Sequence, residues 1–259
     1  MQINGYKQTK KVYNIVKEEL IMYKNKILKD ILSLMFILLF SIISCLYIYN
    51  SSIKKFKDGV TFKETYESLN NKESNSGKKY RTLNIPKDNM IEQTSLKSIN
   101  KMTNDKKTFY VYFGFKGCPW CRSVIEQMIK TAKENNIKKI YYVDVRPDDI
   151  IEKDIRDEYD LNENGEVYLS RVGTNDYHTF LKKYKNVLKD YSHGNVKTLD
   201  NTKFSGSKRL GAPNFIYVKK GIPKKLVTGI SEKQTDGFME LTDEILTDEY
   251  KIFTEFFKK

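Results

Sequence analysis

The sequence of 259 residues is poor in the side chains that bind metals and cofactors, with only three cysteines and two histidines. A structural zinc site needs about four ligands, and His178 and His193 are too far apart for a zinc-finger spacing. The chain also shows no internal repeat, no phosphate-binding glycine loop and no pair of carboxylates at catalytic spacing. We therefore expect neither a metal site nor a bound cofactor.

The excess of positive charge does not indicate a nucleic-acid-binding protein. The formal net charge is +13, but most of the excess lies in residues 1–107 and the rest of the chain is nearly neutral. The tyrosines and phenylalanines fall at core spacing within apparent strands and helices, so they do not suggest stacking on bases. Anionic lipid or wall polymer is the partner that this charge distribution favours.

Only one long stretch of the chain lacks charge altogether, residues 31–49. At about 1.5 Å per residue, a helix of this length crosses a bilayer core of about 30 Å. We predict a single transmembrane helix here. The lysines close to its two ends balance, but further lysines in the N-terminal tail favour a cytoplasmic location for residues 1–30. The rest of the chain is then extracytoplasmic, in a single-pass protein of the cell membrane.

Cys45 leaves a second interpretation of this segment open. Residues 42–45 resemble the lipobox that ends a lipoprotein signal peptide, and a start at Met22 would supply a short basic region before the apolar run. The segment stays apolar through residues 46–49, which favours a signal anchor over a lipoprotein. Either interpretation leaves the following domain tethered outside the cell.

The polar, lysine- and asparagine-rich composition of residues 50–89 predicts a linker. Residues 90–259 then form the folded domain.

The most informative motif is Cys118-Pro119-Trp120-Cys121. It follows the apolar run of residues 109–113, which predicts a buried strand, and it precedes apolar residues at helical spacing. Cys118 would lie at the helix N-terminus, where free N–H groups favour a thiolate, with Cys121 on the same side. A structural disulfide between such near neighbours would constrain the unfolded chain little, so the motif favours a redox-active dithiol.

A second motif is a proline immediately before a predicted hairpin. Ala212 and Pro213 precede the apolar run of residues 214–218, residues 219–221 predict a turn, and residues 226–229 return. By itself, Pro213 would be interpreted as an ordinary trans proline at the start of a strand. The stretch from 241 to 257 predicts a closing helix.

The order strand, Cys-x-x-Cys, helix, strand, proline-led hairpin and helix resembles the thioredoxin-like superfamily, in particular the membrane-attached proteins of Gram-positive bacteria that include the bacteriocin-transport accessory type. The resemblance implies an α/β thioredoxin fold with a central mixed sheet flanked by helices. It also implies a cis peptide bond before Pro213, with Ala212 presenting its backbone to a substrate cysteine. Two positions depart from thioredoxin itself: Tyr112 stands where thioredoxin has a buried aspartate, and Pro119-Trp120 replaces Gly-Pro.

Residues 146–210 are longer than the single helix that this fold requires there. Residues 148–159 and 174–191 predict two helices, the second with Thr174 as its N-cap, and polar, glycine-bearing stretches predict loops around them. The insertion either caps the active-site cleft or extends the core. His178 lies within it, where a surface or packing role is favoured.

We therefore expect a membrane-tethered thiol–disulfide oxidoreductase that acts on exported proteins or peptides containing cysteine. Cys118 would attack and Cys121 resolve, while Trp120, Ala212 and Pro213 bind substrate. Pro119 and Lys116 would tune the redox potential, and a separate membrane redox partner would be required for a reductase. The direction expected from the missing aspartate is that of an oxidant or isomerase. The alternative is a non-catalytic accessory module for a secretion or bacteriocin export system, since fold alone does not determine function.

Overall fold

The computed structural model describes residues 3–164, 167–190 and 208–258 and divides into two compact units, Met1–Lys54 and Lys55–Lys259. The first unit belongs to helix α1 (Ile3–Glu67). Within α1 lies a stretch that is long and apolar enough to cross a membrane, and its large apolar side chains, including Phe36, Leu39 and Ile43, are exposed. This agrees with the prediction of one N-terminal segment able to span a bilayer.

The second unit is built on a mixed five-stranded sheet. Its strands are β1 (Ile91–Gln93), β2 (Phe109–Gly114), β3 (Ile140–Asp144), β8 (Asn214–Lys219) and β9 (Ile222–Val227), in the order β1-β3-β2-β8-β9. The first three strands of this order are parallel, and β8 and β9 are antiparallel to their neighbours. The predicted buried strand is therefore the central one, and all six residues of β2 are buried.

Helices cover both faces of this sheet. Besides α1, they are α2 (Leu96–Asn104), α3 (Pro119–Glu134), α4 (Asn175–Tyr184) and α5 (Asp243–Phe257). Because side chains alternate along a strand, Tyr110 and Tyr112 pack with α3 and α5 in one core. Val111 and Phe113 pack with α2 and α4 in the other. The class expected from the sequence, a mixed central sheet flanked by helices, is confirmed.

The predicted hairpin and closing helix are also present. Strands β8 and β9 are joined by a turn in which Lys220 and Gly221 both have positive φ, of 50° and 75°. A Cβ atom on Gly221 would lie 2.3 Å from the Thr103 carbonyl oxygen, so this turn requires glycine for space as well as conformation. Thr242 caps α5 by accepting a hydrogen bond from the Ile245 N–H.

Part of residues 50–89, the segment predicted as a linker, belongs to the folded core. The last residues of α1 carry Phe62 and Tyr66, which are fully buried in the core that contains α3. Leu83 and Ile85 are buried in the same core. The sequence did not predict this burial, because residues 70–79 are polar and the apolar residues that pack lie on either side of them.

The insertion is less helical than predicted. Residues 148–159 do not form a helix: they lie in two short 3₁₀ turns, Pro147–Asp149 and Ile151–Lys153, followed by strand β4 (Glu158–Leu161). Asp148 and Asp149 have positive φ, and Ile150 and Ile151 are exposed rather than packed, so the isoleucines do not form a helical stripe. Strand β4 pairs with β5 (Val167–Arg171).

The second predicted helix of the insertion is confirmed in a shorter form, as α4. Thr174 is its N-cap, and the Thr174 side chain accepts a hydrogen bond from the Tyr177 N–H. Tyr177, Phe180 and Tyr184 are buried against the sheet, so this helix extends the core. Two short strands, β6 (Lys189–Asp190) and β7 (Lys208–Arg209), pair near the end of the insertion.

Candidate active site

Cys118 occupies the N-cap position of α3, with φ −77° and ψ 112°, and Pro119 is the first residue of the helix. The fixed φ of proline suits that position, and its missing N–H would have no partner there. The Cys118 Sγ accepts a hydrogen bond from the Cys121 N–H at 3.2 Å. The Cys118 sulfur therefore lies beside backbone N–H donors and at the positive end of the helix dipole. Both favour a thiolate.

The two cysteines are both free thiols, and both are buried, Cys118 with 4% and Cys121 with 0% of its surface exposed. Burial raises the pKa of Cys118, but hydrogen bonds from Cys121 and the charge of Arg156 outweigh burial and hold the pKa below its ordinary value. Burial raises the pKa of Cys121 well above its ordinary value, and the adjacent Cys118 raises it further. The pair thus has one activated thiol and one thiol that retains its proton.

Across from the dithiol, the chain passes close to Cys118 at the start of β8. The Cys118 thiol donates a hydrogen bond to the Ala212 carbonyl at 3.4 Å, and the Ala212–Pro213 peptide bond is cis. Trp120, Ala212 and Pro213, the three residues predicted to bind substrate, line one groove of about 510 Å³. Lys189, Arg209 and Glu232 lie along the same groove. Ala212 thus connects this groove to the Cys118 thiol.

A buried ion pair from the insertion lies close to the dithiol. Arg156 donates two hydrogen bonds to the Asp154 carboxylate, from Nε at 2.9 Å and from Nη2 at 2.7 Å, and a third to the Leu210 carbonyl at 3.3 Å. Its guanidinium also lies 5.9 Å from the centre of the Phe115 ring. Because Asp154 and Leu210 fix its orientation, Arg156 presents its charge to Cys118 without a flexible side chain.

The sequence did not point to Arg156, because it is separated from the Cys-x-x-Cys motif by a helix and a strand. The only linear signal is the alternation Asp154-Ile155-Arg156, in which two opposite charges flank an apolar residue. On a short extended segment such an alternation places both charged side chains on one side.

On the inner side of the dithiol lies a cluster of buried tyrosines. Tyr112 lies in the same buried core as Cys121, and its hydroxyl lies 2.8 Å from the hydroxyl of Tyr66. The Tyr112 ring is stacked between those of Phe215 and Tyr142, with ring centres 4.6 and 5.3 Å apart. Tyr112 was noted in the sequence only as a departure from thioredoxin; its contact with Tyr66 depends on the packing of α1 and could not be predicted.

The remaining predicted residues are spread around the site. The charge of Lys116 acts on Asp144 and Asp149, where it lowers the carboxyl pKa against the larger effect of burial. The Nε2 atom of His178 lies 2.8 Å from the Asp157 carboxylate, which agrees with the packing role favoured for it. His193 lies outside the described residues. Within the described ranges, no group of three or more metal-ligating side chains comes together.

Comparison with known proteins adds no identification. No protein-family model matches the chain, and no curated protein matches it significantly. Its function therefore has to be inferred from the geometry of the site.

Proposed function

We propose that this chain is a membrane-tethered thiol–disulfide oxidoreductase with a thioredoxin-like fold, and that it acts on exported proteins or peptides through Cys118 and Cys121. One observation carries the proposal: a thiol with a lowered pKa caps a helix, beside a second free thiol and a groove lined by Ala212 and Pro213. A low thiol pKa in a cleft is a mark of reactive cysteines.

In the reducing direction, the Cys118 thiolate attacks one sulfur of a substrate disulfide. A bond forms between Cys118 and that sulfur, and the other substrate sulfur leaves as a thiolate that takes up a proton. Cys121 then loses its proton and attacks Cys118, which forms the Cys118–Cys121 disulfide and releases the second substrate thiolate. The substrate is reduced and the enzyme pair oxidised. The same steps in reverse oxidise a substrate dithiol.

The groove supports the role of substrate binding for Trp120, Ala212 and Pro213. A substrate in extended conformation would lie in this groove beside Ala212 and Pro213, which precede β8, with its cysteine at Cys118, and its backbone would hydrogen-bond to that of Ala212. The Ala212 carbonyl already accepts a hydrogen bond from the Cys118 thiol, and a substrate donor would take its place.

The direction that we propose is oxidation or isomerisation of substrate disulfides. A thiolate that is stabilised in the reduced enzyme makes the disulfide form a stronger oxidant, and the helix end and Arg156 both stabilise that thiolate. Equilibration of the full chain in detergent with glutathione buffers measures the potential. We expect about −120 to −200 mV, and a value below about −250 mV would contradict this direction and favour a reductase supplied by a membrane electron carrier.

For its location, we propose a single-pass protein of the cell membrane with a cytoplasmic N-terminus and the dithiol outside. The apolar stretch of α1 supports a membrane segment, and the lysines of the N-terminal tail support this orientation. Protease added to intact cells should cleave the dithiol domain and leave the N-terminal tail intact. The opposite pattern would contradict the orientation.

The proposed activity is tested with two single variants of the full chain. Cys118→Ser should abolish exchange with a test disulfide, because the attacking thiolate is lost. Cys121→Ser should instead accumulate covalent complexes with substrates, because the mixed disulfide is no longer resolved. Non-reducing gel electrophoresis separates these two outcomes. Cys45→Ser, which removes the thiol outside the motif, is the matched control and should retain full activity.

The same variants test the alternative of a non-catalytic accessory module. Such a module would need neither thiol, so the double variant Cys118→Ser, Cys121→Ser would retain full function in a cell assay of the export system. A Cys118→Ser chain that still exchanged disulfides would also contradict our assignment. We expect loss of function in both assays.

A further inference from the structure

The groove beside the dithiol contains a buried carboxamide whose oxygen has no partner. Gln234 lies in the loop between β9 and α5, lines the groove and is 5% exposed. Its side-chain nitrogen donates to the Asp236 carbonyl at 3.3 Å. Its Oε1 atom is buried and has no hydrogen-bond partner among the described residues. A buried acceptor without a donor costs free energy, so this atom favours a ligand that supplies one.

The loop that carries Gln234 packs directly on the Cys-x-x-Cys motif. A Cβ atom on Gly237 would lie 2.9 Å from the Cβ atom of Pro119 and 3.0 Å from the backbone nitrogen of Trp120, so the backbone of the loop touches the start of α3. Within the loop, the Gln234 N–H donates to the Ser231 carbonyl at 3.0 Å. These contacts fix the Gln234 carboxamide beside the motif.

The groove is within reach of a residue close to the substrate cysteine. Ala212 lines the groove, and its carbonyl lies 3.4 Å from the Cys118 sulfur. An extended peptide advances about 3.3 Å per residue. A peptide with its cysteine at Cys118 would therefore bring a residue within two positions of that cysteine to Gln234.

The chemistry of the Gln234 oxygen limits what this residue can be. A carboxamide oxygen only accepts, so the substrate side chain has to carry an O–H or N–H donor. A cationic donor is disfavoured, because a neutral acceptor does not compensate for the burial of a full charge. Lys189 and Arg209 also line the groove and would repel a cation.

The rest of the groove wall favours a donor on a short, partly apolar side chain. Trp120 and Ile230 line the groove and are partly buried against the core that contains α3. A methyl or methylene group would pack on them. A substrate carboxamide would bring an acceptor that itself needs a donor, whereas a hydroxyl needs only to donate. Serine and threonine meet these requirements.

We propose that Gln234 is a specificity-determining residue, whose Oε1 atom accepts a hydrogen bond from the hydroxyl of a serine or threonine within two residues of the substrate cysteine. The preferred substrates are then peptide segments in which a hydroxyl residue lies close to the reactive cysteine. This inference rests on the proposed function, since it concerns the substrate of that reaction. The bond contributes to recognition and takes no part in the exchange of sulfurs.

The test uses the full chain in detergent with Cys45→Ser as the background, so that only the motif thiols react. The probes are synthetic five-residue peptides whose central cysteine forms a mixed disulfide with a coloured aromatic thiol. Cys118 attacks the peptide sulfur, a bond forms between these two atoms, and the aromatic sulfur leaves as its thiolate. The other four positions are alanine, except for one that is threonine, or valine in the paired peptide. Valine has nearly the same shape and lacks the hydroxyl.

We expect the threonine peptide to react about ten- to hundredfold faster than the valine peptide at one position, measured as the second-order rate constant of thiolate release. Gln234→Met removes the acceptor and should make the two peptides equal. Gln234→Glu also removes the donor to the Asp236 carbonyl, but it keeps an acceptor oxygen. The preference for threonine should therefore remain in Gln234→Glu, which separates recognition by the oxygen from an effect on the loop.

Glu232→Gln is the matched control. Glu232 lines the same groove and is exposed, so its change should leave the preference for threonine as it is in the parent chain. A third peptide with lysine at the selected position should react more slowly than the threonine peptide. A faster lysine peptide that slows in Glu232→Gln would show a cation site and overturn the proposal.

Three further results would overturn it: equal rates for threonine and valine at all four positions, a preference that persists in Gln234→Met, or its loss in both Gln234 variants. A parent chain that releases no thiolate from any peptide or from a small aromatic disulfide would overturn the proposed function itself. A failure of the inference is thus distinguished from a failure of the activity.

Discussion

Arg156 is a charged side chain that acts on a cysteine distant from it in the sequence. Arg156 is almost fully buried, with 5% of the residue exposed, and Asp154 holds its guanidinium through two hydrogen bonds. A buried ion pair of this kind adds little to stability, because desolvation opposes the attraction. Its charge nevertheless lowers the pKa of Cys118, so its contribution is to the reactivity of that thiol.

We predict that Arg156→Gln raises the pKa of Cys118, because the thiolate loses a nearby positive charge. The reduced enzyme is then less stabilised, so the redox potential should become more negative. Thiolate absorbance as a function of pH measures the first effect, and glutathione equilibration the second. Arg171→Gln is the control, because Arg171 donates to the backbone carbonyl of Asp154 and is absent from the charges that act on Cys118. An unchanged Cys118 pKa in Arg156→Gln would refute this role.

The last turns of α1 are an element whose role depends on packing. Phe62 is fully buried, with its ring 4.9 Å from that of Tyr142. The helix end is held by Arg122 of α3, which is 1% exposed and donates to the Tyr66 carbonyl at 2.6 Å and to Asn70 at 2.9 Å. Arg122 therefore lies within the core and fixes the end of α1.

This packing predicts different effects for two phenylalanines of α1. Phe62→Ala should lower the free energy of unfolding by about 3–5 kcal/mol, because it leaves a cavity in the core. Phe56 is 56% exposed, so Phe56→Ala should change that free energy by less than about 0.5 kcal/mol. Thermal unfolding of both variants in detergent measures the difference. Equal stabilities would show that the end of α1 does not belong to the folded unit.

At the scale of the whole molecule, the pH dependence of stability should reflect Glu249. This residue of α5 is fully buried, and neither carboxyl oxygen has a hydrogen-bond partner in the described part of the chain. Burial raises the pKa of Glu249 to about 8, against the smaller opposing effect of Arg81. The folded state therefore binds a proton that the unfolded state has released above about pH 4.5, so this group lowers stability progressively as the pH rises from about 4.5 to 8.

We predict that Glu249→Gln stabilises the protein by about 1–3 kcal/mol at pH 8 and has little effect at pH 4, because the amide has no proton to lose. Denaturant unfolding at several pH values measures this. Glu244→Gln is the control on the same helix: the side chain of Glu244 is exposed and pairs with Lys233, so the change should be small at every pH. A stabilisation by Glu249→Gln that does not depend on pH would contradict the assignment.

The sequence by itself determined the elements that depend on local pattern. The apolar run of β2, the helical spacing after Cys118, the Thr174 cap and the hairpin of β8 and β9 were all predictable, because each rests on neighbouring residues. The apolar stretch of α1 was equally clear. These elements also bring Cys118 to a helix N-terminus, so the positions of Cys118 and Cys121 could be predicted from the sequence.

Only the tertiary structure decided which distant residues surround that pair. Arg156 reaches Cys118 from the insertion, and Tyr66 reaches Tyr112 from the end of a helix whose following residues are polar enough to resemble a linker. The helix predicted for residues 148–159 is wrong, because the isoleucines have helical spacing but Ile150 and Ile151 are exposed at a backbone turn. Long-range contacts of this kind depend on the summed burial of many side chains, and no local pattern records them.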